Sequence, residues 1–249
     1  MEGLNINMLD KGLRKKIGSY LEEWIGVYGR DIVSLGVYGN TSGAEARRDL
    51  SEVNILAVLD KVGLEQMDKG LKLIAKGAKA GIAAPLMLTL EHIRTSQDSF
   101  PIEFLEMKES YVCVYGRDVL KDLHVDRGNL RLFCEQQLKG KLIRLRQAYL
   151  EIGLKRKGVE ALLKDCLRVL FPVFRSCLRL KNIVVPLKKE DVLLRLGREF
   201  GLTVDGFIAI LRDRENDEKI NGEDVRVFLG KFVREIGNLA EKIDKFSLS

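Results

Sequence analysis

The 249 residues are 46% hydrophobic and 31% charged, which excludes a disordered chain, and 4 prolines without a Ser/Gly-rich tract exclude a long flexible linker. The 42 basic and 36 acidic side chains leave +6, but unevenly: residues 1–127 hold 17 basic against 19 acidic, and residues 128–249 hold 25 against 17, so the excess belongs to the second half. Cys113, Cys134, Cys166 and Cys177 lack CxxC spacing and have only His92 and His124 for company, which excludes a structural zinc site.

The cysteines read as buried thiols in a reducing cytoplasm. No apolar run approaches the 18 residues of a membrane span and no secretory leader is legible, so the expectation is a cytoplasmic protein without membrane partners.

Residues 9–28 predict an amphipathic helix, because Leu13, Ile17, Leu21, Trp24 and Ile25 recur at spacings of three and four. Trp24 falls on that stripe and reads as a core anchor. Residues 31–38 predict a strand, 39–50 a polar turn with helical turns at 44–50, and 53–59 a second strand whose apolar run suits a central position. The pattern over 64–81 is helical, with Leu64, Met67, Leu71, Ile74 and Ala78 on one side and Lys69, Lys72, Lys76 and Lys79 on a solvated face. Pro85 breaks it. A third strand is expected at 86–90, then a connector at 91–99. A fourth strand is expected within 100–106, where Ile102 and Phe104 alternate with Glu103 and Leu105, and a fifth at 111–115, ending at Gly116.

After Asp126 the strand signals stop. Asn129 is the expected cap of a helix over 130–152 that carries Leu132, Leu138, Leu142, Leu145 and Tyr149 along one side. A second helix is expected over 159–180, with Leu162, Cys166, Val169, Leu170, Val173 and Cys177 on its stripe and a bend at Pro172. Helices at 189–200, 204–215 and 222–243 follow. The expected class is α+β: a mixed sheet of about five strands with flanking helices over 1–127, then an all-α helical bundle over 128–249.

One stretch carries chemistry. Tyr38-Gly39-Asn40 is followed, after residues 41–51, by Glu52-Val53-Asn54-Ile55, and Glu52 and Asn54 sit two apart on a strand, hence on one face. Glu103 comes later, in Pro101-Ile102-Glu103-Phe104. In this order, across residues 9–180, the chain resembles the nucleotidyltransferase domain of the DNA polymerase β superfamily, in the bacterial type with a C-terminal helical domain. The resemblance implies a nucleoside triphosphate and Mg²⁺ as cofactors. Gly39 would let the backbone approach the triphosphate, with Asn40, Thr41 and Ser42 gripping it. Carboxylates at positions 52 and 54 would hold two Mg²⁺ ions, and a third on a later strand, matched by Glu103, would bind the metal nearest the acceptor hydroxyl. The first C-terminal helices would border the cleft and bring Lys141 or Arg144 to the nucleotide.

The side chains depart from that pattern. Asn40 stands where serine is usual, Glu52 keeps its charge on a longer arm, and Asn54 puts a neutral amide where a carboxylate bridges the metals. Mg²⁺ demands near-octahedral oxygen ligation, so the amide weakens metal binding. The metal set Glu52, Asn54 and Glu103 therefore reads as degenerate, in a catalytically inactive nucleotide-binding or regulatory module. One alternative is an active Mg²⁺-dependent enzyme moving a nucleoside monophosphate from NTP to a hydroxyl. Another is a nucleic-acid-binding module on the basic helices 139–181, where 12 basic side chains face 3 acidic ones and Arg168, Arg175 and Arg179 lie close to one face.

Overall fold

Helix α1 (Lys11–Tyr28) begins where Asp10 Oδ1 accepts the Gly12 N–H at 2.8 Å, a side-chain cap for a donor the helix leaves unpaired. It is seen in a computed structural model that describes residues 4–39, 53–152, 155–216 and 225–247. The chain divides into two units, residues 1–98 with 103–125 and residues 99–102 with 126–249.

In the first unit α1 buries Leu13, Ile17, Leu21, Trp24 and Tyr28. The Trp24 ring stacks on Tyr28 with centroids 4.9 Å apart and planes 9° from parallel, while Tyr20 meets Trp24 edge-on at 6.4 Å. A 3-10 turn (Gly29–Asp31) leads into the sheet, made of β1 (Ile32–Gly39), β2 (Val53–Leu59), β3 (Leu86–Leu88) and β4 (Val112–Gly116) in the order β3-β2-β1-β4. β1 is antiparallel to both β2 and β4, and β3 runs parallel to β2, so the sheet is mixed. The central strand β2 is buried on both faces over residues 55–59, which is why it reads as a near-continuous apolar run. Leu35, Val37, Ile55, Ala57 and Leu59 join α1, and Leu73 of α2 (Leu64–Lys79), in one core.

Three expectations for this unit are corrected. The segment expected as a fourth strand is helix α4 (Pro101–Ser110), and the sheet has four strands among the described residues. Pro101 pre-sets the first helical position at no cost in hydrogen bonds, and Glu103, Leu105, Glu106, Met107 and Lys108 all favour a helix. The expected connector at 91–99 contains helix α3 (Leu90–Thr95), capped by Thr89 Oγ1, which accepts the His92 N–H at 3.1 Å. The third concerns α2. Its buried side is Gln66, Gly70, Leu73 and Gly77, whereas Leu64, Met67 and Leu71 of the expected apolar side are exposed.

The second unit is helical: α5 (Arg127–Ile152), α6 (Arg156–Leu180), α7 (Lys189–Phe200), α8 (Asp205–Asn216) and α9 (Val225–Asp244). The cap of α5 is Asp126 rather than Asn129, since Asp126 Oδ1 accepts the Asn129 N–H at 2.9 Å. α5 packs against α6 and α9 through Leu130, Cys134, Leu138, Leu142 and Leu145, and Leu132 points to solvent. On α6 the expected Leu170, Val173 and Cys177 are buried, together with Val159, Leu163, Leu167 and Phe174, whereas Leu162, Cys166 and Val169 of the expected stripe are only half-buried. The helix continues through Pro172 at the cost of one backbone hydrogen bond. Phe171, Phe174, Phe207 and Phe232 form a chain of ring contacts linking α6, α8 and α9, with successive centroids 6.1, 5.8 and 4.9 Å apart. α7 stops at Gly201, whose φ of 55° is left-handed and suits glycine.

Cys134 of α5 and Cys177 of α6 are buried free thiols, and Cys166 is half-buried. Burial pushes Cys166 from an ordinary 9.0 up to about 11, against a smaller opposing pull from Lys141. It raises Cys177 too, with the Cys134 thiol adding to the effect. A thiol whose pKa rises on folding contributes stability that is complete below its unfolded pKa and is lost as pH climbs through the folded value. The urea midpoint of the helical unit, followed by circular dichroism, is therefore expected to hold between pH 7 and 8.5 and to fall between pH 9 and 11. Cys166→Ala removes part of that fall.

Candidate functional site

Opposed residues of an antiparallel pair share a face, so Ser34, Gly36 and Tyr38 of β1 lie beside Val58, Leu56 and Asn54 of β2. This is the sheet face opposite Leu35, Val37, Ile55 and Ala57. Gly39 ends β1 with φ 92°, a left-handed turn that glycine adopts without strain. Its N–H donates to Ser110 Oγ at 3.0 Å, and that hydroxyl donates to the Glu106 carbonyl, also at 3.0 Å. The C-terminal end of α4 thus holds the end of β1. Asn54 stands one register position from Gly39, half-buried and opposite Tyr38. Of the expected site, Gly39 and Asn54 are brought together. Asn40, Thr41, Ser42 and Glu52, with the helical turns expected at 44–50, lie outside the described residues.

Glu103 is not on a strand. It is exposed in the first turn of α4, where a carboxylate complements the helix dipole, and it precedes Ser110 by seven residues, about 10 Å along the axis. The strands that follow β2 carry no acid. β3 reads Leu86, Met87, Leu88, with Leu86 and Leu88 at the register of Leu56 and Val58, and β4 reads Val112, Cys113, Val114, Tyr115, Gly116. No described residue of any of the four strands is acidic, and among the described residues no group of three or more His, Cys, Asp and Glu side chains is placed to hold a metal ion. The described residues do not fit the two-metal set that the resemblance implies.

What the face does offer is neutral polarity. The Tyr111 ring lies over Gly36 so closely that a Cβ there would stand 2.0 Å from a ring carbon. The Tyr111 hydroxyl shares a 2.9 Å hydrogen bond with Ser34 Oγ, and Cys113 Sγ lies 3.8 Å from the same oxygen. Burial raises Tyr111 far above the ordinary phenol range, only partly opposed by the Ser34 bond. Burial likewise raises Tyr38 and Cys113. All three stay protonated at neutral pH, so none is a general base there. Ser34, Tyr111 and Ser110 escaped the sequence reading, and the one available signal was Gly36, since a glycine inside a strand marks close approach of another group.

Lys141 and Arg144 belong to α5 of the second unit, where Lys141 is half-buried and Arg144 exposed. Five residues of the basic run are engaged within their own bundle. Lys139 bonds Glu135 at 2.6 Å and Asp244 at 3.3 Å, Lys164 pairs with the buried Asp213 at 3.0 Å, and Lys181 donates to the Glu199 carbonyl at 2.6 Å and lies over the Phe200 ring. Arg179 donates to Ser176 Oγ at 3.0 Å, and Arg168 lies 3.9 Å from Asp165. These partners give the nucleic-acid reading no support. Among the described residues no helix is long and apolar enough to cross a membrane.

No family model matches the sequence. No curated protein matches it either. Solved structures do. Spectinomycin adenyltransferase AAD(9) from Enterococcus faecialis, crystallised with ATP and spectinomycin, superposes with a TM-score of 0.56 at 11% identity, over 93% of this chain and 99% of its own. At that identity the likeness concerns the fold: a nucleotidyltransferase-like mixed sheet with flanking helices, followed by a helical domain.

Proposed function

We propose that this chain is a nucleotidyltransferase-fold protein working as a nucleotide-binding or regulatory module without metal-dependent transfer. The observation that carries the reading is the absence of carboxylates from the described strands, with Asn54 beside Gly39 and Leu86, Met87 and Leu88 on the strand after β2. A two-metal transfer brings four positive charges into one cleft and depends on carboxylates to hold them. An amide and apolar side chains do not supply that charge. Glu52 and Glu103 complete the proposed degenerate set, and Asn40, Thr41, Ser42, Lys141 and Arg144 are the proposed nucleotide contacts. The free thiols suit a reducing cytoplasm.

The test is calorimetric titration with ATP, with and without Mg²⁺, beside a pyrophosphate-release assay. Binding with an affinity that changes less than about threefold on adding Mg²⁺, and pyrophosphate release at background, is the expected result. Strong Mg²⁺ dependence would sink the reading.

A second reading is favoured by the structural neighbour, an adenyltransferase solved with ATP and spectinomycin and covered over nearly its whole length. On that reading this chain transfers a nucleoside monophosphate to a hydroxyl acceptor. It requires pyrophosphate release that disappears in Glu52→Ala.

A further inference from the structure

The two edges of the sheet are protected unequally. β3 is three residues long and Pro85 precedes it, and a short strand beside a proline offers a neighbour little to pair with. β4 has neither device. Tyr111-Val112-Cys113-Val114-Tyr115 carries no charge and no proline, and four of its five side chains are Val or Tyr, which favour strands. A run of this kind pairs readily with other chains when its edge is open.

β4 also carries a bulge. Leu35 of β1 faces Tyr115, and the next residue, Gly36, faces Cys113, so Val114 is passed over by the ladder. The Val114 side chain is wholly buried in the core, and its carbonyl accepts the Asn5 N–H at 2.7 Å.

That donor belongs to the segment before α1. Along Leu4-Asn5-Ile6-Asn7 the apolar side chains lean on the core and the two asparagines are exposed, which is the alternation of a strand. Ile6 reaches Gly18 of α1, where a Cβ would stand 3.4 Å from its Cδ1. The residues nearer α1 are tied down separately. Leu9 is 3% exposed. Arg14 Nη1 donates to Asn7 Oδ1 at 3.1 Å, and Arg14 Nη2 to the carbonyls of Asn7 and Leu9 at 2.8 and 3.3 Å.

We propose that residues 4–9 are an edge guard, which covers the outer edge of β4 at its bulge and keeps that strand from pairing with β4 of a second copy of this chain. Cover and anchor are different parts of the segment. Arg14 and Leu9 hold residues 7–9 to α1, so residues 4–6 can lift from β4 while the helix stays in place. Seated, they pair the carbonyl that the bulge leaves over and set asparagines, poor strand formers, at the rim. Lifted, they leave an uncharged edge open.

Two variants test this. Deleting residues 2–6 removes the cover and keeps the anchor, and Asn5→Pro in the full chain removes only the donating N–H. Sedimentation equilibrium should show both associating more tightly than the wild-type chain, the deletion by about a hundredfold and Asn5→Pro by about tenfold. The far-UV spectrum and the emission of Trp24 should report both as folded, and if the deletion costs the fold, Asn5→Pro decides alone. Amide exchange across residues 112–116 should slow in the associated species relative to the same chain when dilute. Folded variants that associate no more than the wild type overturn the proposal. So does association that leaves exchange at 112–116 unchanged, since it forms through another surface.

Discussion

Gly36→Ala is expected to lower the stability of the first unit by about 3 kcal/mol or more, at the upper end of what one inserted methyl group costs. The added Cβ meets two ring carbons of Tyr111 at 2.0 and 2.3 Å and its hydroxyl oxygen at 2.5 Å, and a ring cannot swing aside as the end of a flexible chain can. Its hydroxyl is tied to Ser34, and the backbone beneath it is the central strand of the sheet, paired on both sides. Trp24 is the protein's one tryptophan and lies in this unit, so its emission during urea titration reports the affected unit alone. The midpoint should fall with an unchanged slope. Tyr111→Ala in the same chain should recover part of the loss, because it removes the partner of the clash, and the two changes are then far from additive. Full additivity would show that the ring does not sit on Gly36.

Trp24→Ala should cost about 3–5 kcal/mol, the range for deleting a large buried aromatic. Trp24 is 0% exposed, stacks on Tyr28 and meets Tyr20 edge-on, the two tyrosines whose hydroxyls enter the glycine notches of α2 at Gly70 and Gly77. Its loss therefore opens a cavity and loosens both pegs that seat α2. Against total stabilities of about 5–15 kcal/mol, a change of this size leaves the unit only marginally folded. Circular dichroism during urea titration is the appropriate measurement, and Trp24→Phe, which keeps a ring on Tyr28, should lose much less.

The elements easiest to read were those whose own residues decide them. β2 is apolar on both faces, with residues 55–59 all buried, β1 carries Leu35 and Val37 into the core, and α1 repeats its apolar residues at the helical period. Residues 100–106 misled because four alternating side chains imitate a strand, while the deciding feature, Pro101 at a helix start, becomes visible only with the whole helix. The orientation of α2 was hidden for another reason. Its buried face is built on Gly70 and Gly77, which carry no hydrophobic signal, so periodicity pointed to the leucine side instead. At the site, the spacing between Gly39 and Asn54 was legible because it lies within one pair of strands. The third acid was not: it was sought on a strand, and Glu103 belongs to a helix. The contact of Tyr111 with Gly36 joins residues 75 positions apart, a distance no local pattern spans.

The strand order has a consequence for the growing chain. β1 sits between β2, which follows it closely, and β4, which pairs with it only after residues 112–116 have been made. At about 5–20 residues per second, the second edge of β1 stays unpaired for roughly 4–16 s after the strand emerges. During that time an apolar strand with an open hydrogen-bonding edge is available to other nascent chains. Ser34 and Gly36, small residues at the centre of that edge, are kept clear for Tyr111, so the strand cannot carry a bulky charged guard there without losing its final fit. Production in cells should therefore depend on chaperone capacity during synthesis more steeply than the finished protein's stability would indicate.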